Sequence, residues 1–150
     1  MIRKELIFAK EDFSSKEDVL QKLTEAAEKE GLLADREAYL EAVYRREKEF
    51  ATSIGYGIAI PHGKTEAVKE AFIGFMSTKK PFVWDKESGG EAELIFLIGV
   101  PAAHTETLHL KAIAEISKRL MREEFRSKLL AAATSEEVFE LLKEIDESIH

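Results

Sequence analysis

Thr52-Ser53-Ile54-Gly55-Tyr56-Gly57-Ile58-Ala59-Ile60-Pro61-His62-Gly63 is where the chain changes character. Its two closely spaced glycines mark a loop or turn, and Ile58-Ala59-Ile60 is a short apolar strand. Pro61 removes a backbone donor and ends regular pairing, so His62-Gly63 is expected where the strand opens into a loop. Before this stretch the pattern is helical. Ser15 to Gly31 reads as a helix capped by Ser14 or Ser15, with Glu17 and Asp18 in its first turn and Gly31 as its stop. Asp35 to about Glu49 reads as a second helix, with Tyr39, Leu40, Val43 and Phe50 at helical spacing. After it, Phe72 to Thr78 reads as a strand, and Leu94 to Val100 as another that is apolar on both faces and needs cover on both sides. Helices follow at Leu108 to Met121, Arg126 to Ala133 and Ser135 to Ile149. Helices, then strands, then helices imply an α/β fold, a three-layer α/β/α sandwich with a central mixed sheet.

The 150 residues fit a single domain spanning 1–150, since two cores of half that size would be marginal. The longest apolar candidate, Leu94 to Ala103, is half of what a membrane span needs. Glu11 and Asp12 interrupt the start before a signal peptide could form. A cytoplasmic protein without membrane insertion is therefore expected. There is no cysteine, which removes disulfides, thiolate metal sites and cysteine nucleophiles and agrees with a reducing compartment. A net charge of -7 argues against nucleic acid, whose phosphates select clustered Lys and Arg. Arg45-Arg46 and Lys79-Lys80 are isolated basic pairs that solubility alone would explain. Trp84 is expected in the core, whereas Tyr56 fits either core or a partner-facing surface.

Four histidines could carry chemistry: His62, His104, His109 and the terminal His150. His62 stands out by its setting. The end of a buried strand holds a side chain rigidly yet leaves it reachable, and Gly55, Gly57, Ala59 and Gly63 leave room for a second molecule. A neutral imidazole there is a competent nucleophile toward an activated phosphoryl group. Such transfer is mostly positioning and charge stabilisation, so it needs few protein groups. A metal hydrolase built on His62, His104 and His109 fits poorly. The spacing of five between the last two does not put both on one helix face, and no carboxylate stands in a ligand motif. Neither a metal nor a cofactor is expected.

Arg46-Glu47, four residues, then Thr52 through Gly63 resembles the type-2 IIA signature of the bacterial phosphoenolpyruvate-dependent sugar phosphotransferase system, the group that includes the fructose and mannitol IIA domains. A second block, Val100-Pro101 through His109-Leu110-Lys111, is similar as well, as is Leu129-Leu130-Ala131-Ala132-Ala133-Thr134-Ser135-Glu136-Glu137-Val138, so the resemblance covers nearly the whole chain. It implies that His62 takes a phosphoryl group from phospho-HPr and passes it to a cysteine of a IIB domain. Either that cysteine lies in a separate IIB domain or protein, because this sequence has none, or no onward transfer occurs. It further implies that His109 and Arg46 stabilise the phosphoryl group, with Thr52 as a weaker polar candidate. His-Leu-Lys is the matching tripeptide, which favours His109 over His104. Ala51 departs from the serine the family often has there. Nitrogen-related IIA proteins resemble the same signature and imply an alternative, regulatory output from the phosphorylation state of His62.

The arginine also bears on titration. A guanidinium beside His62 disfavours imidazolium, nearby Glu47 favours it, and Arg46 is expected to outweigh Glu47. The pKa of His62 is then expected below the ordinary value of about 6.5.

Overall fold

A computed structural model describes residues 1–103 and 108–149, with the side chains of 108 and 109 outside that description. In chain order the elements are β1 (Ile2–Glu11), α1 (Lys16–Lys29), α2 (Arg36–Glu49), β2 (Ser53–Gly55), β3 (Ile58–Ala59), β4 (His62–Thr65), β5 (Phe72–Asp85), β6 (Gly90–Pro101), α3 (Leu108–Leu120), α4 (Glu123–Ala131) and α5 (Ser135–Ile149). The first two helices start where their caps say. The Ser15 side chain accepts from Asp18 N at 3.0 Å, and the Asp35 carboxylate from Ala38 N at 3.0 Å. Each satisfies a backbone donor that the helix cannot.

Among the described residues six strands form one mixed sheet, ordered β1-β5-β6-β3-β2, with β4 also paired to β6. β1 runs parallel to β5, the long β5–β6 pair is antiparallel, and β3 and β4 both run parallel to β6. The two-sided reading of β6 holds in detail. Leu94, Phe96, Ile98 and Val100 enter one apolar cluster with Ile116, Leu129, Val138, Leu142 and Ile145 of the last three helices. Ile95 and Leu97 enter the other, with Leu20, Leu23, Tyr39 and Val43 of the first two. Alternate residues of one strand thus bind two helical layers, which makes the α/β/α sandwich expected from the sequence.

β1 was not anticipated, because Arg3, Lys4, Glu5, Lys10 and Glu11 break the apolar alternation and its register on β5 shifts twice. β5 runs on to Asp85, past the exposed Lys79 and Lys80, where a register shift lies between Ser77 and Phe82. Trp84, on that extension, is 2% exposed, as a core residue should be. Phe50, assigned to the apolar stripe of α2, instead ends the helix and is 73% exposed. Tyr56 is also exposed, at φ 56 between Gly55 and Gly57, which have positive φ as well. Three such residues in succession make the tight turn that only flanking glycines allow cheaply.

Candidate functional site

Pro61 does not end the pairing it was expected to end. Ile58 and Ala59 sit opposite Leu94 and Ile95, and further along the same strand His62 sits opposite Ile98. Between them Pro61 contributes its carbonyl, which accepts from Ile98 N at 3.0 Å. Proline lacks a donor but keeps its acceptor, and a parallel edge position needs no more. His62 is therefore the first residue of a strand, not the start of a loop.

Helix α2 lies against this strand because Gly63 lets it. A Cβ at Gly63 would come within 3.1 Å of Tyr39 Cε1 and 3.3 Å of Val43 Cγ2. The Tyr39 hydroxyl donates to Ile98 O at 2.7 Å, fixing the helix to the strand paired with His62. The pull of burial on this phenol raises its pKa well above the ordinary value, so it remains a donor.

The imidazole of His62 is half-buried, and its Nδ1 lies 2.9 Å from Ile60 O. A carbonyl oxygen accepts and never donates, so Nδ1 carries the proton and the lone pair of the neutral ring is on Nε2. The pKa is lowered from 6.5, first by burial and then by the Arg46 guanidinium, against the opposing Ile60 carbonyl and Glu47. The direction is the one expected, but burial outranks the arginine as its cause.

Beside the ring is a hollow of about 260 Å³ lined by Arg45, Arg46, Glu49, Gly63 and Lys64, with Ala42 at its edge. Arg46 and Lys64, with Arg45 beside them in an ion pair to Glu41 at 3.0 Å, supply cations that suit the oxygens of a phosphoryl group. Arg46 is partly held in place: its Nη1 donates to Phe50 O at 3.2 Å and its guanidinium lies over the Phe50 ring at 5.8 Å. Thr52 is only 6% exposed, and its hydroxyl donates to Glu47 Oε1, so that proton is already engaged. The side chains of His109 and His104 lie outside the described residues.

Arg45 and Lys64 line the hollow without having been singled out as site residues. Arg45 was visible as half of a basic pair, and Lys64 as the residue two after His62 on the same face of a strand. Among the described residues no group of three or more His, Cys, Asp or Glu could hold a metal ion. Nor is any helix among them long and apolar enough to cross a membrane.

Residues 1–145 match the family described as "Phosphoenolpyruvate-dependent sugar phosphotransferase system, EIIA 2". The class is therefore that of phosphotransferase domains that carry phosphohistidine, phosphoryl carriers of sugar phosphotransferase systems. The chain belongs to this EIIA type 2 family. It is 38% identical over 143 residues to the fructose-specific EIIA component of Haloferax volcanii, covering 95% of this chain and 92% of that protein. Against EIIABC relatives the chain spans 20% of their length. The nitrogen regulatory protein IIA-Ntr of Neisseria meningitidis superposes with a TM-score of 0.84 at 27% identity, covering 95% of this chain and 96% of the other. A IIA mannitol enzyme from Escherichia coli, solved in complex with phosphorylated IIB, superposes at 0.78 with 26% identity, over 95% and 98% of the two chains.

Proposed function

We propose that His62 is the phosphoryl acceptor of this carrier, with phospho-HPr as donor and a cysteine of a separate IIB protein or domain as the next acceptor. The observation that carries the reading is the imidazole itself, with its lone pair on Nε2 and three cations lining the hollow beside it. In the first step Nε2 attacks phosphorus, the donor's P–N bond breaks, and the donor imidazole leaves as a neutral ring. The His62 ring then bears phosphorus on Nε2 and the proton on Nδ1, where Ile60 O accepts it and steadies the positive ring. In the second step a IIB thiolate attacks phosphorus and the Nε2–P bond breaks, restoring neutral His62. Arg46 and His109 stabilise the charge on the transferring oxygens, joined by Arg45 and Lys64 from the hollow. Thr52 can offer its proton to a phosphoryl oxygen only by leaving Glu47.

Residues 1–150 act in this reading as one carrier module among cytoplasmic partners, serving uptake of a fructose-like sugar. The fructose-specific label of the Haloferax relative favours transport over the nitrogen-regulatory output, since likeness of fold is common to both.

The test is incubation with phosphoenolpyruvate, enzyme I and HPr. Wild type should gain one acid-labile, alkali-stable phosphoryl group, and His62→Ala none. Full labelling of the variant would remove His62 from this role.

A further inference from the structure

Glu47 plays no part in the transfer just described, yet its side chain is only 4% exposed. A carboxylate this far from water is costly unless donors surround it, and an apolar replacement of similar volume is often no less stable. Here three donors converge. Lys16 Nζ and Trp84 Nε1 each lie 3.1 Å from Oε2, and the Thr52 hydroxyl donates to Oε1. They come from α1, from β5 and from the segment between α2 and β2.

A continuous line of hydrogen bonds runs on from there. Thr52 is bound to Glu47 through its side chain, and its own carbonyl accepts from Ile60 N at 3.0 Å. The carbonyl of Ile60, a residue 2% exposed, in turn accepts from His62 Nδ1 at 2.9 Å. Ile60 is thus gripped on one side by the Thr52 segment and grips the imidazole on the other. Which ring nitrogen of a histidine bears the proton is set by such a partner.

We propose that Glu47 is a positioning residue which, through Thr52 and Ile60, holds the His62 ring in its Nδ1–H tautomer and aims Nε2 outward. The proposal rests on His62 being the acceptor for its functional meaning, but its direct claim concerns the unphosphorylated protein. It also accounts for the engaged Thr52 hydroxyl, which ties the strand before the histidine to a fixed carboxylate. A mere anchor of α1 to β5 through Lys16 and Trp84 would need neither Oε1 nor Thr52.

Nitrogen NMR of the His62 ring, at a pH where it is neutral, reads the tautomer ratio directly. Wild type should be dominated by Nδ1–H. Glu47→Gln and Thr52→Val should each move the ratio toward Nε2–H by about fivefold, the worth of roughly one net hydrogen bond. Phosphoryl transfer should slow in step, by about tenfold or more, as misplacement of a reacting group does. Thr52→Ser, which restores the hydroxyl, should return both to wild type. Thr52→Val leaves the charges beside the ring (Arg45, Arg46, Glu47, Glu49 and Lys64) untouched, so its effect on the tautomer ratio, read with no phosphoryl group present, is positional. Ile145→Val, in the opposite apolar cluster, should lower stability and leave the ratio alone. A ratio within about twofold of wild type in Thr52→Val, less than the worth of a weak hydrogen bond, overturns the proposal, as does an equal shift in Ile145→Val. If Glu47→Gln fails to fold, the Thr52 pair decides. A tautomer that responds as stated while His62→Ala still accepts phosphate would leave the positioning intact and remove the acceptor role.

Discussion

On the face of the sheet covered by α3, α4 and α5, the described cluster is aliphatic and phenyl throughout, from Ile58, Phe75 and Phe96 to Leu142 and Ile145. On the face covered by α1 and α2, the cluster includes the Tyr39 phenol and the Trp84 indole, and the Glu47 carboxylate lies against that indole. The first face gains stability from area removed from water, which has no preferred direction. The second gives some of its buried volume to directional bonds, and two of these routes lead toward β4: Tyr39 to Ile98 O, opposite His62, and Glu47 through Thr52 to Ile60. One face holds the molecule together and the other aligns it.

That division can be broken by a core truncation. Leu142 is fully buried among Ile, Leu and Phe side chains of the first face. Leu142→Ala should cost about 2–5 kcal/mol of unfolding free energy, read from the denaturant midpoint. Transfer per folded molecule should stay at the wild-type rate, and a fall there would mean the two faces are coupled. Arg46→Ala reverses the pattern. It should slow phosphoryl transfer about 100-fold at saturating donor, the usual loss for one donor to a developing charge, with little change in midpoint. His109→Ala should behave in the same way. Wild-type rates in both would leave Arg45 and Lys64 as the groups that hold the phosphoryl oxygens.

How far the sequence could be read follows the same line between local and distant causes. Ser15 and Asp35 announce their helices because a cap acts on a donor three residues away, and both caps are present. β6 was legible because a two-sided apolar run has few other uses. β1 was not, since its charged residues and shifted register mask a strand that is specified by β5 and α5 rather than by its own pattern. His62 could be singled out from its neighbours in the chain. The cations around it could not be assembled that way, because Arg45 and Lys64 meet only after Gly63 has let α2 settle on β4. Glu47 stood beside Arg46 in plain view, yet its partners Lys16 and Trp84 are 31 and 37 residues away.

The smallest effect expected is on pH dependence, and it tests the second face alone. Burial, seconded by Arg46, lowers the pKa of His62 below 6.5. Protonated imidazole has no lone pair for phosphorus, so acceptance should fail only as pH drops through that lowered value. Arg46→Ala should move the midpoint upward, though not fully back, because burial is the larger cause. Glu47→Gln should move it further down, since the carboxylate favours the charged ring. Stability follows with a definite sign. The unfolded chain binds a proton at His62 near its ordinary pKa of about 6.5, while the folded protein resists until a lower pH. The contribution of His62 to stability is thus fully present above the unfolded value and is lost as pH falls from there through the folded one. Denaturation of wild type and His62→Ala across that window should show the difference narrowing toward acid, because the variant lacks the titrating group. The donor also titrates, so the assignment to His62 needs an NMR titration of the free protein. A ring that titrates above about 6.5 there, the ordinary value, would break the link between its burial and its chemistry.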